Sequence, residues 1–123
     1  MSKYNARKTA TLDGIVHASS KEALRWSHLC LLQRAGIISD LQRQVPFELI
    51  PAQYETYERY GKKGQRLKDG QRCVEKSVVY VADFVYTHEG KQVVEDAKGV
   101  RTADYVIKRK LMLYLKGIKI LET

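Results

Sequence analysis

The chain has 123 residues and a mass of 14.2 kDa, enough for one domain around one core. Apolar residues make up 44% and charged residues 29%, which excludes a disordered tail, and the longest apolar run, 78–85, is interrupted by Asp83 and too short to cross a bilayer. Lys and Arg total 22 against 14 acids, a net charge of +8 that points to a polyanionic partner, nucleic acid first.

Residues 1–18 are polar and read as an arm with a short extended piece; a positive start with no apolar block behind it is not a secretory signal, so the cytoplasm is the expected location. At Ser19 the pattern changes. Ser19-Ser-Lys-Glu22 matches a capping box and opens an apolar-rich helix that Gly36 closes. Gln42 to Leu49 reads as a strand broken by Pro46, hence an edge or a bend. Residues 54–72 interleave three tyrosines with basic residues and three glycines and offer almost nothing to a core. From Arg59 to Lys76 there are seven basic and two acidic residues, and the segment is expected to be a mobile or extended loop. Cys73 to Tyr86 reads as one long strand, 87–91 as a hairpin turn, and Gln92 to Lys98 as the returning strand, ended by Gly99. Thr102 caps a second helix from Ala103 to Leu115, stopped by Gly117, and Ile118 to Leu121 is a last short strand.

An Asp inside a strand as apolar as 78–85 is unfavourable unless it is paired or metal-bound. In Val93-Val-Glu-Asp-Ala-Lys98 the alternation of a strand puts Asp96 and Lys98 on one face, about 7 Å apart, and Glu95 on the other. The hairpin brings Asp83 beside Asp96. Two readings stand at this point. One is an Asp96–Lys98 salt bridge with Asp83 marking a bulge. The other is phosphodiester cleavage, with hard oxygens holding Mg²⁺ and Lys98 positioning a water. A bulge would exchange Glu95 with Asp96.

The spacing D-x(11)-E-D-x-K-G, with a Glu early in the first helix, resembles the PD-(D/E)XK nuclease superfamily. Lys3-Tyr-Asn-Ala, Ser19-Ser-Lys-Glu-Ala23, Leu31-Leu-Gln-Arg-Ala-Gly36, Ala82-Asp-Phe-Val-Tyr86 and Val94-Glu-Asp-Ala-Lys-Gly99 are similar to small phage-encoded members of that superfamily, over most of the chain except roughly 54–76. The resemblance implies an α+β (α/β) restriction-endonuclease-like core: helix, three-stranded β-meander, helix and strand. It makes Asp83 the first acid, Asp96 the second and Lys98 the lysine, with Glu22 completing the metal site, although Glu22 also stands where a capping-box Glu belongs. The motif's Pro is replaced by Ala82. The implied function is a Mg²⁺-dependent endodeoxyribonuclease, with Mn²⁺ as a substitute, cutting branched DNA as a Holliday-junction resolvase. Symmetric cutting of two strands implies a homodimer. A nicking or structure-nonspecific nuclease keeps the chemistry, and a noncatalytic DNA-binding accessory is the alternative outside enzymology.

Candidate DNA contacts are Arg7 and Lys8 on the arm, Lys62, Lys63 and Arg66 in the basic segment, and Lys108 and Arg109 on the second helix. Lys108 lies four residues after Asp104, so an intrahelical ion pair competes for it. Loop tyrosines suit stacking on unpaired bases, with a solvated insertion as the other reading. Cys30 and Cys73 share no metal-ligand spacing and read as idle thiols in a reducing cytosol, and His17, His28 and His88 share no spacing that marks a catalytic histidine.

Overall fold

A computed structural model describes residues 8–98 and 100–123; the Arg7 contact and the strand end at Gly99 lie outside the described residues. Two short strands, β1 (Thr9–Ala10) and β2 (Val16–His17), pair as a small antiparallel hairpin. Asp13 ties its turn to the body. The carboxylate accepts the Thr11 hydroxyl, the Trp26 indole N–H at 2.6 Å and the Ile15 N–H at 3.0 Å, and these bonds hold its pKa down at about 2. Helix α1 (Ser20–Arg34) starts where the sequence places it, with Ser19 accepting the Glu22 N–H at 3.1 Å, and ends at Ala35 before a left-handed Gly36. Its buried residues Glu22, Ala23, Trp26 and Leu29 fall on one face at helical spacing.

Strand β3 (Ile38–Ile50) is longer than the predicted Gln42–Leu49 and forms an edge of the main sheet, where the missing N–H of Pro46 is tolerated. Residues 54–72 are not a loop. Strands β4 (Gln53–Tyr60) and β5 (Arg66–Glu75) pair antiparallel as a separate two-stranded ribbon around a turn at 61–65. The polar composition hid it, because a ribbon with both faces in water needs no apolar alternation. The predicted strand from Cys73 to Tyr86 is accordingly two: β5 ends at Glu75 and β6 (Val78–His88) begins in the main sheet. Strand β7 (Lys91–Asp96) returns through a two-residue turn, with Glu89 and Gly90 both at positive φ as a tight hairpin requires. Helix α2 (Ala103–Lys116) is capped by Thr102 and stopped by Gly117 at φ 65°. The final strand, β8 (Leu121–Glu122), is shorter and later than predicted and lies parallel to β7.

The main sheet has the order β3-β6-β7-β8, so β3, β6 and β7 form a meander interrupted by the ribbon. One face buries Phe84, Tyr86 and Val93 under Trp26 and Leu29 of α1. The opposite face buries Tyr80, Ala82, Val85 and Val94 under Tyr105 and Met112 of α2. The architecture is therefore mixed α+β, a sheet between two helices. Leu29, Phe84 and Met112 are fully buried, each contributing roughly 1.5–3 kcal/mol of hydrophobic stabilisation. No helix among the described residues is long and apolar enough to cross a membrane.

Along β6 the alternation of faces breaks at one residue. Tyr80 and Ala82 pack with the α2 cluster, whereas Phe84 and Tyr86, in step with them, pack with the α1 cluster. The break falls at Asp83. Across from it, between the pairs Arg43↔Phe84 and Val45↔Ala82, Gln44 adopts a left-handed φ of 54°. On the other side, β6 and β7 pair only as far as Phe84↔Glu95. The sheet forks there, and the fork positions the site.

Candidate functional site

Asp83, Asp96 and Lys98 lie together at this fork: the hairpin brings the two acids side by side as expected, but β7 ends at Asp96, short of the predicted Lys98, so the lysine reaches Asp96 from beyond the strand. Asp83 accepts the backbone N–H of Ala97 at 2.9 Å, a bond that replaces the ladder where β6 and β7 part. Asp96 is 1% exposed. Its Oδ2 accepts the Tyr80 hydroxyl at 2.6 Å, and its Oδ1 faces Lys98 Nζ at 3.1 Å. That second contact is electrostatic only, and Oδ1 accepts no hydrogen bond of good geometry. Lys98 Nζ also lies 4.4 Å from the centre of the Tyr105 ring, so the amine is held between a carboxylate and an aromatic face.

The electrostatics are those of crowded carboxylates. Burial pushes the Asp83 pKa up, and the neighbouring charge of Asp96, a hydrogen bond with it and the charge of Glu22 push it further, to about 8, against the opposing Ala97 N–H. Tyr80 is also raised, by burial first and then by Asp96.

Glu22 is 5% exposed and comes from α1. Ser19 caps the helix as the sequence predicts, but the Glu22 carboxylate accepts Gln44 Nε2 at 3.2 Å and lies 3.7 Å from His17 Nδ1. Its side chain is thus turned toward the sheet, where its charge acts on Asp83. His17, assigned to the arm on sequence, is 1% exposed and stacks obliquely beside Trp26. It lines a cavity of about 380 Å³ with Lys8, Glu22, Arg43 and Gln44. Lys8 is exposed there.

Glu95 takes the other face. Arg25 of α1 grips it with two hydrogen bonds, Nε to Oε2 at 2.6 Å and Nη2 to Oε1 at 2.8 Å. Tyr86 adds its hydroxyl at 2.8 Å, and Glu95 is fully buried. Both carboxylate oxygens are engaged, so this pair pins α1 to β7 and leaves the fork to Asp96. Nothing local in the sequence marks Arg25, whose partner lies 70 residues away. Tyr80 and Tyr105 were missed too, although each falls on a core face that period-two or helical patterning exposes.

The other basic residues separate by partner. Lys108 pairs with Asp104 at 3.7 Å, as the spacing predicts, and borders a cavity with Lys98 and Tyr105. Arg109 lies 3.4 Å from Glu122. Arg66 is bound to Asp69 at 2.7 Å, while Lys62 and Lys63 stand in the ribbon turn with no ion pair among the described residues.

Among the described residues, no group of three or more His, Cys, Asp or Glu side chains is placed to hold a metal ion. The donors at the fork nevertheless fit a hard divalent cation. They are carboxylate oxygens, one of them a buried Oδ1 without a hydrogen bond, and Mg²⁺ takes only one or two carboxylates and keeps its waters.

A family model described as "Protein of unknown function (DUF1064)" matches residues 1–119. No curated protein and no solved structure matches the chain.

Proposed function

We propose a nuclease function for this chain, which belongs to the DUF1064 family. The reading is a Mg²⁺-dependent endodeoxyribonuclease with a restriction-endonuclease-like core, cutting branched DNA as a homodimer in the manner of a Holliday-junction resolvase. The observation that carries it is the meeting of Asp83, Asp96 and Lys98 where β6 and β7 part, with buried Glu22 in electrostatic reach. Asp83 and Asp96 are the residues to hold the cation, with Glu22 the third acid. When bound, Mg²⁺ polarises a phosphate and makes a coordinated water more acidic.

The chain's own groups do the rest. The Ala97 N–H and the Tyr80 hydroxyl orient the two carboxylates before substrate arrives. Lys98, held over Tyr105, is placed to orient the attacking water and to offset negative charge growing on the phosphate. The net charge of +8 supplies the attraction for the polyanion, and two-fold symmetry suits paired cuts in a junction.

The test is incubation of the purified protein with a labelled four-way junction or a matched linear duplex, with Mg²⁺ or with EDTA. Symmetric, Mg²⁺-dependent nicks in the junction are expected, abolished by Asp83→Asn and by Asp96→Asn. Equal cutting of the duplex makes the enzyme structure-nonspecific. Binding without cutting favours a noncatalytic accessory. That second reading has its own observation, the Lys98–Asp96 ion pair closed at 3.1 Å, which braces a strand end without any catalysis.

A further inference from the structure

The ribbon β4–β5 divides its charges by height. Its shaft is neutralised internally. Arg72 pairs with Glu55 at 2.8 Å and lies 4.5 Å over the Tyr57 ring, and where shaft meets tip Arg66 pairs with Asp69 at 2.7 Å and Tyr60 donates to Glu58 at 2.6 Å. Tyr57 lies flat against Gly70, where a Cβ would come within 2.4 Å of the ring, so glycine is required for this stacking. These contacts replace the core that an isolated two-stranded sheet lacks.

The tip is different. From Arg59 to Lys68 there are five cations and no acid. Arg59, Lys62, Lys63 and Lys68 make no ion pair among the described residues. They come from both strands and from the turn between them, so positive charge faces outward on both sides of the ribbon. Four uncompensated like charges on a ten-residue tip repel one another, a cost that a polyanion removes.

Shape selects which polyanion. Two strands lie about 4.8 Å apart, and their side chains fill a groove of about 12 Å but not one of about 6 Å. The eight residues of β4 extend the ribbon by roughly 26 Å. We propose that β4–β5 is an arm for duplex DNA, entering the major groove with Arg59, Lys62, Lys63 and Lys68 reaching phosphates on both walls. This places duplex, rather than the unpaired bases that the tyrosines suggest on sequence, against the ribbon. It rests on the DNA-directed reading of the chain but not on its catalysis.

The experiment uses the full-length Asp83→Asn protein, so that binding is measured without cutting, and compares it with the same protein carrying Arg59→Gln, Lys62→Gln, Lys63→Gln and Lys68→Gln. Fluorescence anisotropy follows a 20-base-pair duplex and a single strand of equal length across a salt series, with circular dichroism to check the fold. Duplex affinity is expected to fall at least tenfold and the salt slope to shrink by about 3 to 4, matching four phosphate contacts. A tighter grip on the single strand than on the duplex, or an unchanged slope, overturns the arm. A second variant, Gly70→Val, displaces Tyr57 and deforms the shaft without touching a cation, and is expected to weaken duplex binding as well. Mg²⁺-dependent cutting of the junction by the parent chain is scored separately: unchanged duplex binding by the fourfold variant overturns the arm alone, and absence of cutting by the parent overturns the nuclease reading alone.

Discussion

Tyr80 donates to one oxygen of Asp96 at 2.6 Å, and Lys98 covers the other at 3.1 Å. The two contacts are unequal. The first is a short, buried hydrogen bond, whereas the second is a charge contact that leaves Oδ1 without a hydrogen bond. Oδ1 is therefore the oxygen free to change partner, and Tyr80 the group that keeps the carboxylate in place while it does.

Tyr80→Phe isolates that positioning role. The ring keeps its packing against Phe47 and Tyr105, and only the hydroxyl is lost. A hydrogen bond to a charged group is worth about 1.5–3 kcal/mol, so urea unfolding should show a loss in that range. Cleavage should slow by roughly tenfold, with the substrate KM little changed, because the carboxylate loses orientation rather than the DNA its contacts. Normal cleavage by this variant would show that Asp96 needs no such support.

The Asp83 carboxyl supplies a pH prediction. Its pKa is raised in the folded chain from 3.8 to about 8, by burial first and then by Asp96. The folded state thus holds this proton more tightly than the unfolded state does. The stabilisation is complete below about pH 4 and is lost as pH climbs through about 8. Asp83→Asn removes the titration and keeps an acceptor for the Ala97 N–H. In buffer with EDTA, its melting temperature should match the parent's near pH 5 and exceed it by several degrees near pH 9, a difference of about 2 kcal/mol after solvent screening. A parent protein that gains stability between these pH values would contradict the crowding of acids at the fork.

How much of this was legible in the sequence follows from where each signal resides. Ser19, Thr102 and Gly117 act within one turn of chain, and both helices begin and end where those residues say. The approach of Asp83 to Asp96 was legible because a tight hairpin defines it locally, whereas Lys98 reaches Asp96 from beyond the end of β7, where alternation no longer holds. The fork was not. It lies opposite a left-handed Gln44 on a neighbouring strand, which no pattern within 78–98 records. The ribbon was hidden because nothing in it is buried against the body's core, and the Arg25–Glu95 clamp because its halves are 70 residues apart.

That clamp separates the two adjacent acids of β7 by experiment. Glu95→Gln leaves Arg25 facing a neutral group and should cost about 3 kcal/mol of stability, as for a buried ion pair broken on one side. Below its lowered melting temperature the variant should still cut DNA. Asp96→Asn should behave in the opposite way, with a smaller change in stability and no detectable cleavage. An inactive, normally stable Glu95→Gln protein would exchange the two roles.

The proposed metal binding can be tested without any nuclease assay. A ligand that binds only the folded state adds RT ln(1 + [L]/Kd), so Mg²⁺ at ten times its dissociation constant stabilises by about 1.4 kcal/mol, or about 5 °C for a domain of this size. The increment should be greater at pH 9 than at pH 6. Below about pH 8 a proton on Asp83 competes for the oxygens the cation needs, and above it that competition ends. Differential scanning fluorimetry with MgCl₂ against an equal ionic strength of NaCl gives the increment, and Mn²⁺ should reproduce it. Asp83→Asn and Asp96→Asn should each remove the increment at both pH values, while Lys98→Gln, which takes a competing amine from Asp96 Oδ1, should keep or enlarge it. An increment equal in all four proteins would place the cation elsewhere on the chain.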